Sequence, residues 1–86
     1  VGLVNAPLVV RGAEMSVLLV EEFEGGVKAS MRSKPPQTPG GSFIDVRAVA
    51  NQLGGGGHVH AAGVRLDGDL ETAAEAIIHA VTLETT

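Results

Sequence analysis

The stretch that decides the fold is LGGGGHVHAAG, Leu53 to Gly63, in which four consecutive glycines run into a histidine. Glycine loses more backbone entropy on folding than any other residue, so four in a row need a structural or functional reason. Gly54, the first of them, directly follows an apolar helical pattern, which is where helices commonly end in a left-handed glycine. We therefore expect Gly54 to end a helix, and three glycines are left to explain.

The helix before the glycines is carried by FIDVRAVANQLG, residues 43–54. Its apolar side chains recur at the i, i+3, i+4, i+7 spacing of one helix face. These side chains are Val46, Val49, Ala50 and Leu53. Asp45 has the short acceptor side chain that caps free backbone N–H groups at a helix start. The pattern predicts a helix over Asp45–Leu53.

The residues after the glycines predict one strand and one helix. Ala61–Leu66 is typical of a short strand of small residues, and Gly63 inside it indicates close approach of another backbone or of a ligand. The sequence DGD, 67–69, is expected to form a turn whose last residue caps a helix. Apolar residues then return at helical spacing and predict an amphipathic helix over Asp69–Leu83.

The first half of the chain predicts a β-hairpin. EMSVLLVEE, Glu14–Glu22, is apolar at its centre on both faces, which favours a strand buried on both sides. FEGG, 23–26, is a tight-turn sequence. VKASMRS, Val27–Ser33, alternates between apolar and polar residues, so Lys28 and Arg32 share one polar face of a half-exposed strand.

Two further segments lie between or before these elements. KPPQTPGGS, Lys34–Ser42, is rich in proline and glycine and is expected to be a loop. GLVNAPLVVRG, residues 2–12, is ambiguous, because Asn5 as a cap, Pro7 in the first turn and Gly12 at the end favour a short helix, whereas its valines also allow a strand. We favour the helix. The expected architecture is α+β, a small mixed β-sheet with two or three helices packed on it.

Composition limits the class of function. The 86 residues suffice for one domain, and no apolar run approaches the roughly 20 residues that span a bilayer. The absence of cysteine excludes disulfides and thiolate metal sites and is compatible with the cytoplasm, the expected compartment. A net charge of −4 argues against binding to long duplex DNA, but not against binding one or two phosphates. Because the chain begins at Val1, we interpret it as a fragment of a longer protein.

Two physical explanations stay open for Gly55, Gly56 and Gly57. They follow a helix rather than a strand, which excludes a dinucleotide-binding fingerprint and a P-loop. Backbone N–H groups of a glycine run can turn inward as a nest that holds an anion, with His58 as a further donor. Alternatively, the glycines form a tight structural turn.

The string GGGGHVHAAG, preceded by VKASMRS and VRAVANQLG, resembles the type 1 DHH-associated domain, the C-terminal domain of DHH-family phosphoesterases. The resemblance covers about Glu14 to Val81 and is closest to the nanoRNase/pAp phosphatases and cyclic-di-AMP phosphodiesterases. It implies a substrate-binding domain for short oligonucleotides, pAp or cyclic dinucleotides. The residues that it implies in substrate binding are Arg32, Ser33, Gly55, Gly56, Gly57, His58 and Lys28.

The same resemblance places catalysis outside this chain. In the family, an N-terminal domain with an Asp-His-His motif holds two Mn²⁺ ions and hydrolyses the phosphate ester. That motif is absent here, and the aspartates are expected in caps and a turn, so we expect neither catalytic residues nor metal ligands in this chain. The expected partners are a nucleotide phosphate and an upstream catalytic domain of the same chain, which would hold the manganese. A homodimer stays open.

Two other functions also stay open. A related domain of alanyl-tRNA synthetases suggests an RNA- or tRNA-binding module without hydrolase activity, and a structural interaction domain would use the glycines only for a turn.

His58 and His60 would share one face of an extended segment, but a metal site needs a third ligand. His79 is expected in the core or at its flank. Arg47 and Arg65 are expected as surface charges, with Arg65 within reach of an anion at the glycines.

Overall fold

The structure is a computed structural model that describes residues 4–9, 15–36, 38–41 and 43–85. Within these ranges the elements, in chain order, are β1 (Val4–Val9), β2 (Met15–Glu21), β3 (Val27–Ser33), α1 (Val46–Gln52), β4 (Gly56–His58), β5 (Ala61–Leu66) and α2 (Leu70–Thr85). The strands form one sheet in the order β1-β2-β3-β5-β4, and every pairing among them is antiparallel. The expected α+β class is confirmed. The expectation of a mixed sheet is wrong for these strands, because the hairpin of β4 and β5 brings β5 beside β3 in the opposite direction.

The segment at residues 2–12 contains a strand and not the favoured helix. β1 pairs with β2 over all six of its residues. It is an end strand of the sheet, and an edge strand tolerates Pro7, which has no backbone N–H to donate. Pairing with β2 therefore overrides the local cap signal of Asn5. Gly12, the expected end of the helix, lies outside the described residues.

β2 alternates between buried and exposed side chains, so the expectation of a strand buried on both sides is wrong. Met15, Val17 and Leu19 are buried, whereas Ser16 is exposed and Leu18 is 44% exposed. The buried side chains join one core cluster with residues of α1 and α2. Because this cluster lies on one face of the sheet, the apolar centre of β2 is covered on that face alone.

β3 has the predicted alternation. Val27, Ala29 and Met31 are fully buried in the core, and Lys28 and Arg32 are exposed on the opposite side. We call this opposite side the open face of the sheet, because the helices of the described chain pack on the other face. The open face is where the exposed polar residues of β3 lie.

Both helices begin at the expected aspartates. Asp45 Oδ1 accepts a hydrogen bond from the backbone N–H of Ala48 at 3.1 Å, and Asp69 Oδ1 accepts one from that of Thr72 at 2.8 Å. α1 ends as predicted, with Gly54 at φ 90°, a left-handed conformation that glycine adopts without a Cβ penalty. Within the described ranges, neither helix has the length and apolar content that crossing a membrane requires.

The remaining glycines form a strand that the sequence pattern did not predict. β4 pairs with β5 across a tight turn. The two backbones lie so close that a Cβ on Gly55 would overlap the carbonyl oxygen of Gly63, and one on Gly57 would lie 2.6 Å from the carbonyl oxygen of Ala61. Gly57 also has φ 146°, which side chains rarely adopt. Gly55 and Gly57 therefore have a structural reason to be glycine.

The close packing of β4 on β5 predicts different effects for two neighbouring substitutions. Gly57→Ala should lower the free energy of unfolding by about 2 kcal/mol or more, because the new Cβ clashes and the backbone is strained. Gly56→Ala is the matched control, since its Cβ would meet only Asn51 Oδ1 at 3.8 Å. Urea unfolding followed by circular dichroism measures both variants. Equal stability of the two would contradict this packing.

The cap of α2 predicts a pH-dependent contribution to stability. The backbone hydrogen bond from Thr72, and then its side chain, hold the pKa of Asp69 below the ordinary value of 3.8. A carboxyl group with a lowered folded pKa stabilises the fold above its unfolded pKa, and that stabilisation is lost as the pH falls through the folded pKa. Asp69→Ala should therefore be less stable than the wild type at neutral pH, with the gap narrowing below about pH 4.

Thermal unfolding across this pH range measures the gap. Asp67→Ala, at an exposed aspartate two positions earlier, is the control for removing one carboxylate from the same turn. A gap between wild type and Asp69→Ala that stays constant with pH would show that the Asp69 carboxylate does not act through its charge.

Candidate functional site

Arg32 and His58 lie in one row across the open face. Arg32 on β3 is opposite Ala61 on β5, and Ala61 is in turn opposite His58 on β4. Directly opposed residues of antiparallel strands place their side chains on the same face, so the exposed His58 shares the open face with Arg32. Two strand spacings put their Cα atoms about 10 Å apart. Only the methyl group of Ala61 lies between them in this row.

The next row along the open face carries little side-chain bulk near β4. Ser30 on β3 is opposite Gly63, which is opposite Gly56. We call Ala61, Gly63 and Gly56 together the floor, since none of the three has a side chain larger than a methyl group. Among the described strands β4 is also the last of the sheet, so its outer edge presents backbone groups that none of them pairs with.

Two further basic residues of the open face differ in their partners. Lys28 is opposite Arg65 and lies four residues from Arg32, about 13 Å along an extended strand. Arg65 was expected within reach of an anion at the glycines. Its Nη2 lies 2.7 Å from Glu22 Oε1, so the carboxylate of Glu22 already balances its charge. In the described part of the chain, Lys28 and Arg32 have no such partner. Arg32 Nη1 donates to the Met31 carbonyl oxygen at 3.1 Å, which leaves its other N–H groups available.

Ser33 is not brought together with Arg32 and His58. Its side chain is buried, and its Oγ donates to the carbonyl oxygen of Val59 at 3.2 Å and lies 2.9 Å from His60 Nδ1. The Ser33 backbone N–H donates to the carbonyl oxygen of His60 at 3.1 Å. Ser33 therefore connects the end of β3 to the turn between β4 and β5. Its partners are 26 and 27 residues away, and no local sequence signal marks them.

His58 and His60 do not share a face as expected, because β4 ends at His58 and His60 lies in the turn. The His60 ring is half-buried against Phe43, with ring centroids 4.8 Å apart and the planes tilted by 50°. His79 is exposed on α2, which agrees with a flanking position and not with the core. The sequence pattern gave no structural role to His60, although its ring contacts both Ser33 and Phe43.

The described residues do not form a metal site. Within their ranges, no group of three or more His, Cys, Asp or Glu side chains lies close enough to hold an ion. The described residues therefore do not fit the two-manganese site that the resemblance implies for its family. No metal-dependent step is assigned to them.

The chain matches known proteins over most of its length. The family model of the DHHA1 domain matches residues 3–83. Over 78 residues the chain is 45% identical to the bifunctional oligoribonuclease and PAP phosphatase NrnA of Thermus thermophilus, an alignment that covers 90% of this chain and 22% of that relative. The resemblance carried by GGGGHVHAAG is thereby confirmed, and the chain belongs to the DHHA1 domain family.

Proposed function

We propose that this chain is the substrate-binding domain of a longer DHH-type phosphoesterase and that it holds a nucleotide phosphate on the open face between Arg32 and His58. The observation that carries the proposal is the row in which both side chains lie, two strand spacings apart with only Ala61 between them. The relative from Thermus thermophilus, of which this chain covers 22%, is an oligoribonuclease and PAP phosphatase by name. The substrate class proposed here is accordingly short oligonucleotides, pAp or cyclic dinucleotides.

The side chains of the row suit a phosphate. The Arg32 guanidinium is a planar fork of N–H donors that matches two phosphate oxygens at once. The His58 imidazole supplies an N–H donor from the other side in either protonation state. Lys28 adds a positive charge farther along the same face, where it serves a second phosphate or the far end of a longer ligand.

The glycines contribute in two ways. Gly55 and Gly57 let β4 lie close to β5, in the register that places His58 opposite Ala61. A Cβ on Gly56 would meet only Asn51 Oδ1, at 3.8 Å, so a ribose or phosphate has room to approach its backbone. The structural turn and the anion site are therefore compatible explanations of the same run. Ser33 has no ligand contact in this proposal.

Binding and hydrolysis are divided between domains in this proposal. The residues of this chain bind and orient the nucleotide, and a catalytic domain of the same longer protein holds Mn²⁺ and cleaves the phosphate ester. The expected location of such an enzyme is the cytoplasm. Support for the division comes from the Thermus thermophilus relative, of which this chain covers 22%, so most of that oligoribonuclease and PAP phosphatase lies outside the aligned domain.

Removing either side chain of the row should weaken nucleotide binding. Arg32→Ala and His58→Ala are each expected to raise the Kd for pAp about tenfold, because each removes a hydrogen bond to a charged phosphate. Isothermal titration calorimetry with pAp and pGpG measures this. The control is Arg47→Ala, which removes an exposed arginine of α1 on the helix side of the sheet. An unchanged Kd in both row variants, with an unchanged melting temperature, would overturn the proposed site.

The salt dependence of binding separates this proposal from an RNA-binding module. One or two phosphate contacts predict that log Kd for pAp changes with log salt concentration by a slope of about 1 to 2. A module that grips structured RNA would engage many phosphates and prefer a tRNA transcript over pAp, with a slope of about 5 or more. Titrations of both ligands at several salt concentrations measure the slopes. Tight, steeply salt-dependent binding to the transcript alone would favour the RNA-binding module.

A further inference from the structure

We propose that Ser33 and His60 position Arg32 and His58 relative to each other, so that Ser33 is a positioning residue of the phosphate site and not a contact to the ligand. We call Ser33, the Val59 carbonyl group and His60 together the turn clamp. This inference rests on the proposed function of the row formed by Arg32 and His58. It goes beyond it by assigning roles to two residues that do not face the ligand.

The contacts of the turn clamp join the two strands that carry the row. Ser33 directly follows Arg32 on β3, and its backbone N–H donates to the His60 carbonyl oxygen at 3.1 Å. Its Oγ donates to the Val59 carbonyl oxygen at 3.2 Å and meets His60 Nδ1 at 2.9 Å. Val59 directly follows His58. The clamp therefore ties the residue after Arg32 to the two residues after His58.

Both side-chain hydrogen bonds of the turn clamp can form together in one arrangement of hydrogen atoms. The Ser33 hydroxyl has a single hydrogen, so when it donates to the Val59 carbonyl oxygen its own oxygen accepts from His60 Nδ1–H. His60 is then the tautomer protonated at Nδ1. Protonation of the ring at Nε2 leaves both hydrogen bonds in place. Phe43 contacts the same ring, with the ring centroids 4.8 Å apart.

β4 is held by its pairing with β5 and by hydrogen bonds between the hairpin and α1, and the turn clamp adds a tie to β3, the strand that carries Arg32. β4 is three residues long, ends the sheet and has exposed side-chain positions throughout. Two of its three residues are glycines, which resist bending less than other residues. The orientation of His58 at the end of this strand therefore depends on the turn that follows it. Ser33 and His60 fix that turn against β3.

The test measures binding and the environment of His58 in the same variants. Ser33→Ala and His60→Ala are each expected to raise the Kd for pAp about fivefold. The double variant should have a Kd no higher than that of the weaker-binding single variant, because both substitutions open the same clamp. In an Arg32→Ala background, Ser33→Ala should have little further effect. In the free protein, the imidazole NMR signals of His58 should shift or broaden in both single variants.

Each alternative gives a different result. If Ser33→Ala and His60→Ala lower the melting temperature but change neither the Kd nor the His58 signals, the clamp only stabilises the fold and the inference is wrong. Additive losses in the double variant would mean that Ser33 contacts the ligand itself. Gln52→Ala is the matched control, because it breaks hydrogen bonds from α1 to the Ala80 carbonyl oxygen and to Glu84 away from the open face. It should cost stability without changing the Kd.

Failure of the proposed function would look different from failure of the clamp. If the wild-type chain binds neither pAp nor pGpG, the proposed function fails, and the His58 signals of the free variants still test the clamp. If the wild type binds and Arg32→Ala weakens binding while Ser33→Ala does not, only the clamp fails. Should Ser33→Ala not fold, His60→Ala, at a half-buried position in the turn, gives the same measurements.

Discussion

The close contact between the glycine run and β5 is the constraint on which the rest of the structure depends. There is no space for a side chain at Gly55 or Gly57, so the chain leaving α1 can lie directly beside β5. The Gly55 N–H donates to the Ala50 carbonyl oxygen at 2.8 Å, which fixes how the run leaves the helix. At the other end of the hairpin, the Val46 N–H donates to the Val59 carbonyl oxygen at 3.0 Å. The hairpin and the start of α1 are thus held as one unit.

The sequence predicted the elements whose signals are local. The cap at Asp45, the left-handed Gly54 and the alternation of Val27–Ser33 each depend on a few neighbouring residues, and all three are confirmed. β1 and β4 were missed because each is an edge strand whose conformation is decided by its neighbour in the sheet. A run of glycines has no side-chain periodicity, so no pattern could mark β4 as a strand.

In the candidate site too, the features with local signals were predicted and those that depend on strand pairing were not. Alternation along β3 placed Arg32 on a polar face, and the family resemblance pointed to His58, but their alignment in one row follows from the register of β4 and β5. Ser33 is instructive in the other direction. Ser33 is two residues from Met31, so the alternation of β3 places both side chains on the core face, away from Arg32. The burial of Ser33 agrees with this placement. Its hydrogen-bond partners are 26 and 27 positions away in the chain, so no local sequence pattern could predict them.

The open face also limits how much of a ligand this domain can enclose by itself. Small-molecule pockets are concave and enclose most of their ligand. A ligand that lies on the open face keeps its outer side in water, where charged contacts are screened. For the proposed nucleotide ligand, selectivity would therefore require a second surface opposite the sheet. In the proposed longer phosphoesterase, the catalytic domain would supply both that surface and the groups that cut the ester.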